Sequence, residues 1–88
     1  MIFNIDELKK KIIYRSTYRG TKEMDALISS FTKQIINDLN GDELINLSNL
    51  LDIDDENLYK FNHGLSLSID IEKNKVSKLF KEFKYNKE

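Results

Sequence analysis

Between Thr21 and Leu39 the apolar residues fall at Met24, Leu27, Ile28, Phe31, Ile35 and Leu39, a spacing that draws one stripe down a helix of 3.6 residues per turn. This run constrains the fold more than any other feature. A helix of that length with a single apolar face has to bury it against neighbouring elements. The rest of the chain supplies more helices. Ile5, Leu8 and Ile12 follow the i, i+3, i+7 rhythm of a first helix over about Ile5 to Tyr18, with Asn4 or Asp6 as N-cap. Asn40 with Glu43 three residues on forms a capping-box signature for a third helix over about Asp42 to Leu51, with Leu44, Leu47, Leu50 and Leu51 inward.

Asp52, Ile53, Asp54 and Asp55 make a turn and a fresh N-cap, opening a fourth helix over about Asp55 to Phe61 that buries Leu58 and Phe61. Leu65, Leu67, Ile69 and Ile71 then alternate with polar residues, as a strand would. No other segment alternates in this way, so residues 62–70 are expected to run as an extended connection laid over the helices. A last helix, about Ile71 to Tyr85, carries Val76, Leu79, Phe80 and Phe83. Proline is absent, so no helix interior lacks a backbone donor. The expected fold class is all-α: a compact bundle of about five short helices forming one domain over residues 1–88, with a frayed tail at about 85–88.

Composition removes several functions. With 88 residues, a net charge of −1 and no cysteine, the chain has neither disulfides nor a cysteine nucleophile or thiolate metal site. Its apolar runs are too short to span a membrane. Asp6 and Glu7 stand where a targeting segment would carry basic residues, so the chain is expected in the cytoplasm, without membrane insertion. The lone histidine, His63, has no serine or carboxylate at a triad spacing and suits a helix C-terminus. An EF-hand loop starting at Asp52 would need glycine sixth and glutamate twelfth, where Asn57 and His63 stand. Gly20, Gly41 and Gly64 are isolated, so no phosphate-cradling loop exists. Basic residues are interleaved with acids on the candidate helices, which disfavours nucleic acid as a partner. No catalytic constellation is left, and the chain is not expected to be an enzyme.

Of the fourteen basic residues only two are arginines, Arg15 and Arg19, four apart and on the continuation of the first helix's apolar stripe. Tyr14 and Tyr18 flank them, Gly20 follows as a helix stop, and Thr21 can cap the second helix, whose first turn holds Glu23 and Asp25. Two readings fit. Cations at a helix end and acids in the next helix's first turn are where the backbone dipoles favour them. Arginine and tyrosine together are also the usual chemistry of a protein-binding hot spot.

The string Arg19-Gly20-x-x-Glu23-Met24-Asp25 resembles the R-G-x-x-E-(L/M)-D signature of the small SdhE-like succinate dehydrogenase assembly factors. Leu50-Leu51-Asp52-Ile53-Asp54-Asp55-Glu56-Asn57-Leu58-Tyr59 is similar to a second segment of that family. The resemblance covers roughly residues 8 to 64. It implies a small helical bundle that binds the flavoprotein subunit of succinate dehydrogenase or fumarate reductase and promotes covalent attachment of its FAD to a client histidine. The FAD then belongs to the client, and no cofactor is expected to bind this chain stably. The resemblance implies partner contact through Arg19, Gly20 and Glu23, with Asp25 as the following acid; Arg15, Tyr18 and Phe61 are added as neighbouring candidates, Phe61 standing near a tryptophan of many members. Two departures are Tyr18, where a second arginine is frequent, and Leu65-Ser66-Leu67-Ser68, which replaces a proline-containing stretch. On this reading Gly20 makes a tight elbow on which Arg19 and Glu23 are both displayed to a partner, and the chain acts as a monomer. The alternatives are a small helical DNA-binding protein or a general protein-interaction module.

Overall fold

Each helix begins where a side chain can accept from an otherwise unpaired backbone N–H. In the computed structural model, which describes residues 4–85, α1 spans Ile5–Thr17, α2 Lys22–Ile35, α3 Gly41–Leu51, α4 Asp55–Asn62 and α5 Lys75–Glu82. Their N-caps are Asn4, Thr21, Asn40, Asp54 and Asn74, each accepting from a backbone N–H three residues on. The capping box at Asn40 and Glu43 is present, with both bonds at 2.9 Å. Among the described residues there is no strand, and the all-helical expectation is met by five helices.

Two helices differ by more than one residue from the spans the apolar spacing predicts, the last of them at both ends, since it stops at Glu82 rather than Tyr85. The second helix leaves the α-form at Ile35 and tightens into a 3₁₀ turn over Ile36–Asp38, so that Leu39 is extended and Asn40 can cap α3 at once. The last helix begins at Lys75 rather than Ile71, because Asn74 and Ser77 cap each other's backbone N–H groups at 2.9 Å. Ile71 belongs instead to the connection over residues 65–73, which has neither helix nor strand and bends at Ser68 and Ile69 rather than running straight as the alternation predicts. Of the tail expected at 85–88, only Tyr85 lies within the described residues; it is non-helical and exposed.

The stripe of α2 buries Met24, Leu27, Ile28, Phe31 and Ile35 against Ile12 from α1, Leu44, Leu47, Leu50 and Leu51 from α3, Leu58 from α4, and Val76 and Phe80 from α5. α1 packs on α2 and α3, while α5 closes the assembly from the side of α3 and α4. Phe31 sits at the centre, with ring centroids 5.0 Å from Phe80 and 5.4 Å from Phe83, in tilted aromatic contacts. α5 has only eight residues and would not hold a helix alone. It is fastened by a buried amide: Asn62 Nδ2 donates to the carbonyls of Phe80 at 2.8 Å and Phe83 at 2.9 Å, the first shared with the Phe83 N–H at 3.2 Å and the second without a backbone donor among the described residues.

Replacing Asn62 by leucine therefore removes two hydrogen bonds and strands the Phe83 carbonyl, and should lower unfolding stability by about 1–3 kcal/mol, read from the urea midpoint at unchanged slope. A second expectation concerns acid. Glu43 is held below the ordinary carboxylate range by the backbone N–H of Asn40 and by Lys75, and Asp54 by the side chain and backbone of Asn57. A carboxylate depressed in the folded state contributes stability above its ordinary value and loses it as pH falls through the folded one. Stability should thus decline below about pH 4. Glu43→Gln with Asp54→Asn, which keep the caps, should flatten that decline in denaturation curves taken across the acid range.

Candidate functional site

The α1–α2 elbow is built around a change of backbone hand. α1 ends with Tyr18, whose N–H reaches Tyr14 O at 3.3 Å, and α2 starts at its Thr21 cap. Only two residues join them, and Gly20 completes the turn with φ +130°, a conformation that side-chain-bearing residues rarely adopt. Asp25, one turn into α2, accepts from the Arg19 backbone N–H and locks the corner from within.

Arg19 does not point outward. Its Nε donates to Asp55 Oδ1 at 2.9 Å, Nη1 to the carbonyl of Leu51 at 2.8 Å and Nη2 to that of Ile53 at 2.9 Å; the side chain is 10% exposed. The guanidinium closes the C-terminal end of α3 and the turn into α4, meeting carbonyls the helix leaves unpaired. Arg15 repeats the arrangement one turn earlier, with Nη1 donating to Ser48 Oγ at 3.0 Å and Nη2 pairing with Asp52. The expectation that Arg19 is displayed to a partner is thus corrected. Arg15 lies on the core-facing stripe of α1 and Arg19 just beyond the helix end, and both side chains fold onto the end of α3. The acids Asp52 and Asp55, which a helix-capping reading explains equally well in sequence, are the counter-ions, while Asp54 is the cap.

Glu23 is exposed. It stands with Lys22 at the mouth of a cleft of about 750 Å³ whose floor includes Met24 and Leu27 and whose far wall is Tyr59 and His63. Those two rings stack at 4.0 Å, and His63 Nδ1 lies 2.9 Å from the Tyr59 carbonyl, so its hydrogen points there. Tyr85 and Lys84, beyond α5, complete the rim. On the outer face of the elbow Tyr14 and Tyr18 are paired at 4.9 Å and remain 67% and 69% exposed. Phe61 is not part of this surface; it is half-buried, stacks on Phe80 at 6.2 Å and lines a different groove. Tyr59 closes the second family segment, while His63 and Lys84 carry no motif in sequence, and only the fold brings the three to Glu23. Among the described residues no three His, Asp or Glu side chains converge as metal ligands, and no helix is long and apolar enough to cross a membrane.

A family model described as "Flavinator of succinate dehydrogenase" matches residues 10–84. The chain is 34% identical over 89 aligned residues to the mitochondrial succinate dehydrogenase assembly factor 2 of Debaryomyces hansenii, an alignment covering 97% of this chain and 63% of that protein. No solved structure matches. This chain belongs to the succinate dehydrogenase flavinator family, a family of assembly factors, and the resemblance carried by Arg19-Gly20-x-x-Glu23 is borne out. It spans somewhat less than two thirds of the length of the curated relative.

Lysine cannot reach three acceptors arranged around a planar fork. Arg19→Lys should therefore lower stability by about 1–3 kcal/mol, with a matching fall in the thermal midpoint. Gly20→Ala, forced to hold φ +130°, should cost about 1–3 kcal/mol in the same measurement.

Proposed function

We propose that this chain binds the flavoprotein subunit of succinate dehydrogenase or of fumarate reductase and promotes covalent attachment of its FAD. The observation that carries the reading is the family match across residues 10–84, which includes the whole elbow and the turn it clamps. The roles of the motif residues divide. Glu23, with Lys22 beside it and Tyr18 and Tyr14 on the outer face, touches the client. Arg19, Arg15, Gly20 and Asp25 are positioning residues that hold the elbow at one angle to the α3–α4 turn. Phe61 contributes through packing on Phe80 rather than by contact at the cleft.

The chain's part in the reaction is to fix geometry. The flavin linkage forms between cofactor and client, and the cleft offers aromatic walls, a carboxylate and two lysines to seat a segment of the client near that linkage. The three glycines stand singly at turns and at the start of α3, which supports a FAD carried by the client rather than resident here. A rigid elbow is useful because ordering a mobile client segment costs conformational entropy, and a surface already in place adds none of its own. The chain acts as a monomer in the cytoplasm on this reading.

Glu23→Gln removes one charge from an exposed position, so folding should be unaffected. Covalent flavin on the client subunit, read by in-gel fluorescence at limiting assembly factor, should fall by about 10–100-fold, the equivalent of one desolvated charge-assisted bond. Arg19→Lys should lose both stability and flavinylation. Full flavinylation with the Glu23 variant would remove the cleft from the client interface.

A further inference from the structure

The connection between α4 and α5 has properties the assembly function does not use. Leu65, Leu67, Ile69 and Ile71 all line one groove of about 730 Å³, with Phe61 at its base. Leu65 is 53% exposed and Ile69 41%, so these apolar side chains are only partly covered. After the Leu65 N–H, which reaches Lys60 O at 2.8 Å, no backbone group of residues 66–73 is hydrogen-bonded within the described chain. The segment carries neither helix nor strand and bends at Ser68 and Ile69, so its unpaired N–H and C=O groups and alternate apolar side chains stand open to an extended neighbour.

The groove is basic. Lys78 and Lys81 line it from α5 and Lys73 from the end of the connection, with Asp70 the single acid of the lining, and among the described residues none of the three lysines has an ion pair. Lys75 and Lys60, which lie off the groove, are paired with Glu43 and Glu56. Lys81 lies 5.9 Å above the Phe61 ring, which places its charge over a residue lining the groove. A chain of net charge −1 thus gathers uncompensated positive charge along one unpaired edge.

We propose that this groove is a second interaction face, which takes an extended, acidic segment of a partner polypeptide against the unpaired backbone of residues 66–73. Backbone bonds to the open edge would hold the segment, its alternate apolar side chains would meet Leu67 and Ile69, and its acids would face the three lysines. The charge argues against a second copy of this chain as the occupant, since pairing two such edges would bring two lysine rims together. The groove shares no lining residue with the Glu23 cleft, so the inference stands apart from the client reading.

The test uses the full chain and a fluorescein-labelled peptide of about eight residues alternating valine with glutamate, the length of an ordinary strand. Fluorescence anisotropy should show saturable binding that weakens about tenfold or more in the variant K73E/K78E/K81E. A counterpart alternating valine with lysine should not bind. All three lysines are exposed, so the variant should fold, and K73Q/K78Q/K81Q provides a milder substitute with the same expected direction. Amide hydrogen exchange should slow at residues 66–73 on binding, and Glu23→Gln should leave the affinity unchanged. Equal binding of both peptides, no loss in either lysine variant, or protection that falls on other residues would overturn the proposal. A concentration-dependent dimer protecting residues 66–73 would overturn it in favour of a second copy.

Discussion

The arrangement of this small bundle rests on one planar side chain meeting three oxygens. Arg19 joins the α1–α2 corner to the end of α3 and the start of α4 through Asp55 and the carbonyls of Leu51 and Ile53. Those acceptors lie more than thirty residues along the chain. Without that contact the α3–α4 turn would present two buried carbonyls and a carboxylate with nothing to neutralise them, which is expensive in a partly desolvated place. Arg15 adds a parallel bond to Ser48 and Asp52, so the last turn of α1 grips the last turn of α3 along its length.

This changes how the shared motif works. A motif arginine in an assembly factor invites the assumption that it touches the client. Here the arginine faces inward, and the residue four positions later, Glu23, faces out. The two need each other in a structural sense. The angle at which α2 leaves the elbow decides where Glu23 stands, and that angle is set by Gly20, Asp25 and the guanidinium beneath them.

Much of the fold was legible because local physics decided it. The stripe from Met24 to Ile35, the caps at Thr21 and Asn40 and the stop after Arg19 each follow from a few adjacent residues, and each stands where the sequence places it. The start of α5 was not legible from apolar spacing, since Ile71 fits both a helix rhythm and a period of two, and its capping box uses Ser77 where glutamate or glutamine is usual. The direction of Arg19 was the larger miss. Its place on the apolar stripe was the available signal, and Asp52 and Asp55, three apart, matched the arginines four apart. What sequence could not supply was the pairing itself, because contacts at such separations depend on how α1 and α3 pack.

Asn62 carries a consequence beyond fastening a short helix. By accepting responsibility for the carbonyls of Phe80 and Phe83, it directs the polypeptide leaving α5 back across α4, and Lys84 and Tyr85 arrive on the rim opposite Glu23. The shape of that opening is therefore governed by an amide some forty positions downstream of the glutamate it faces. Evolution could widen or narrow the aperture by adjusting the exit route of the final helix, leaving the shared motif untouched.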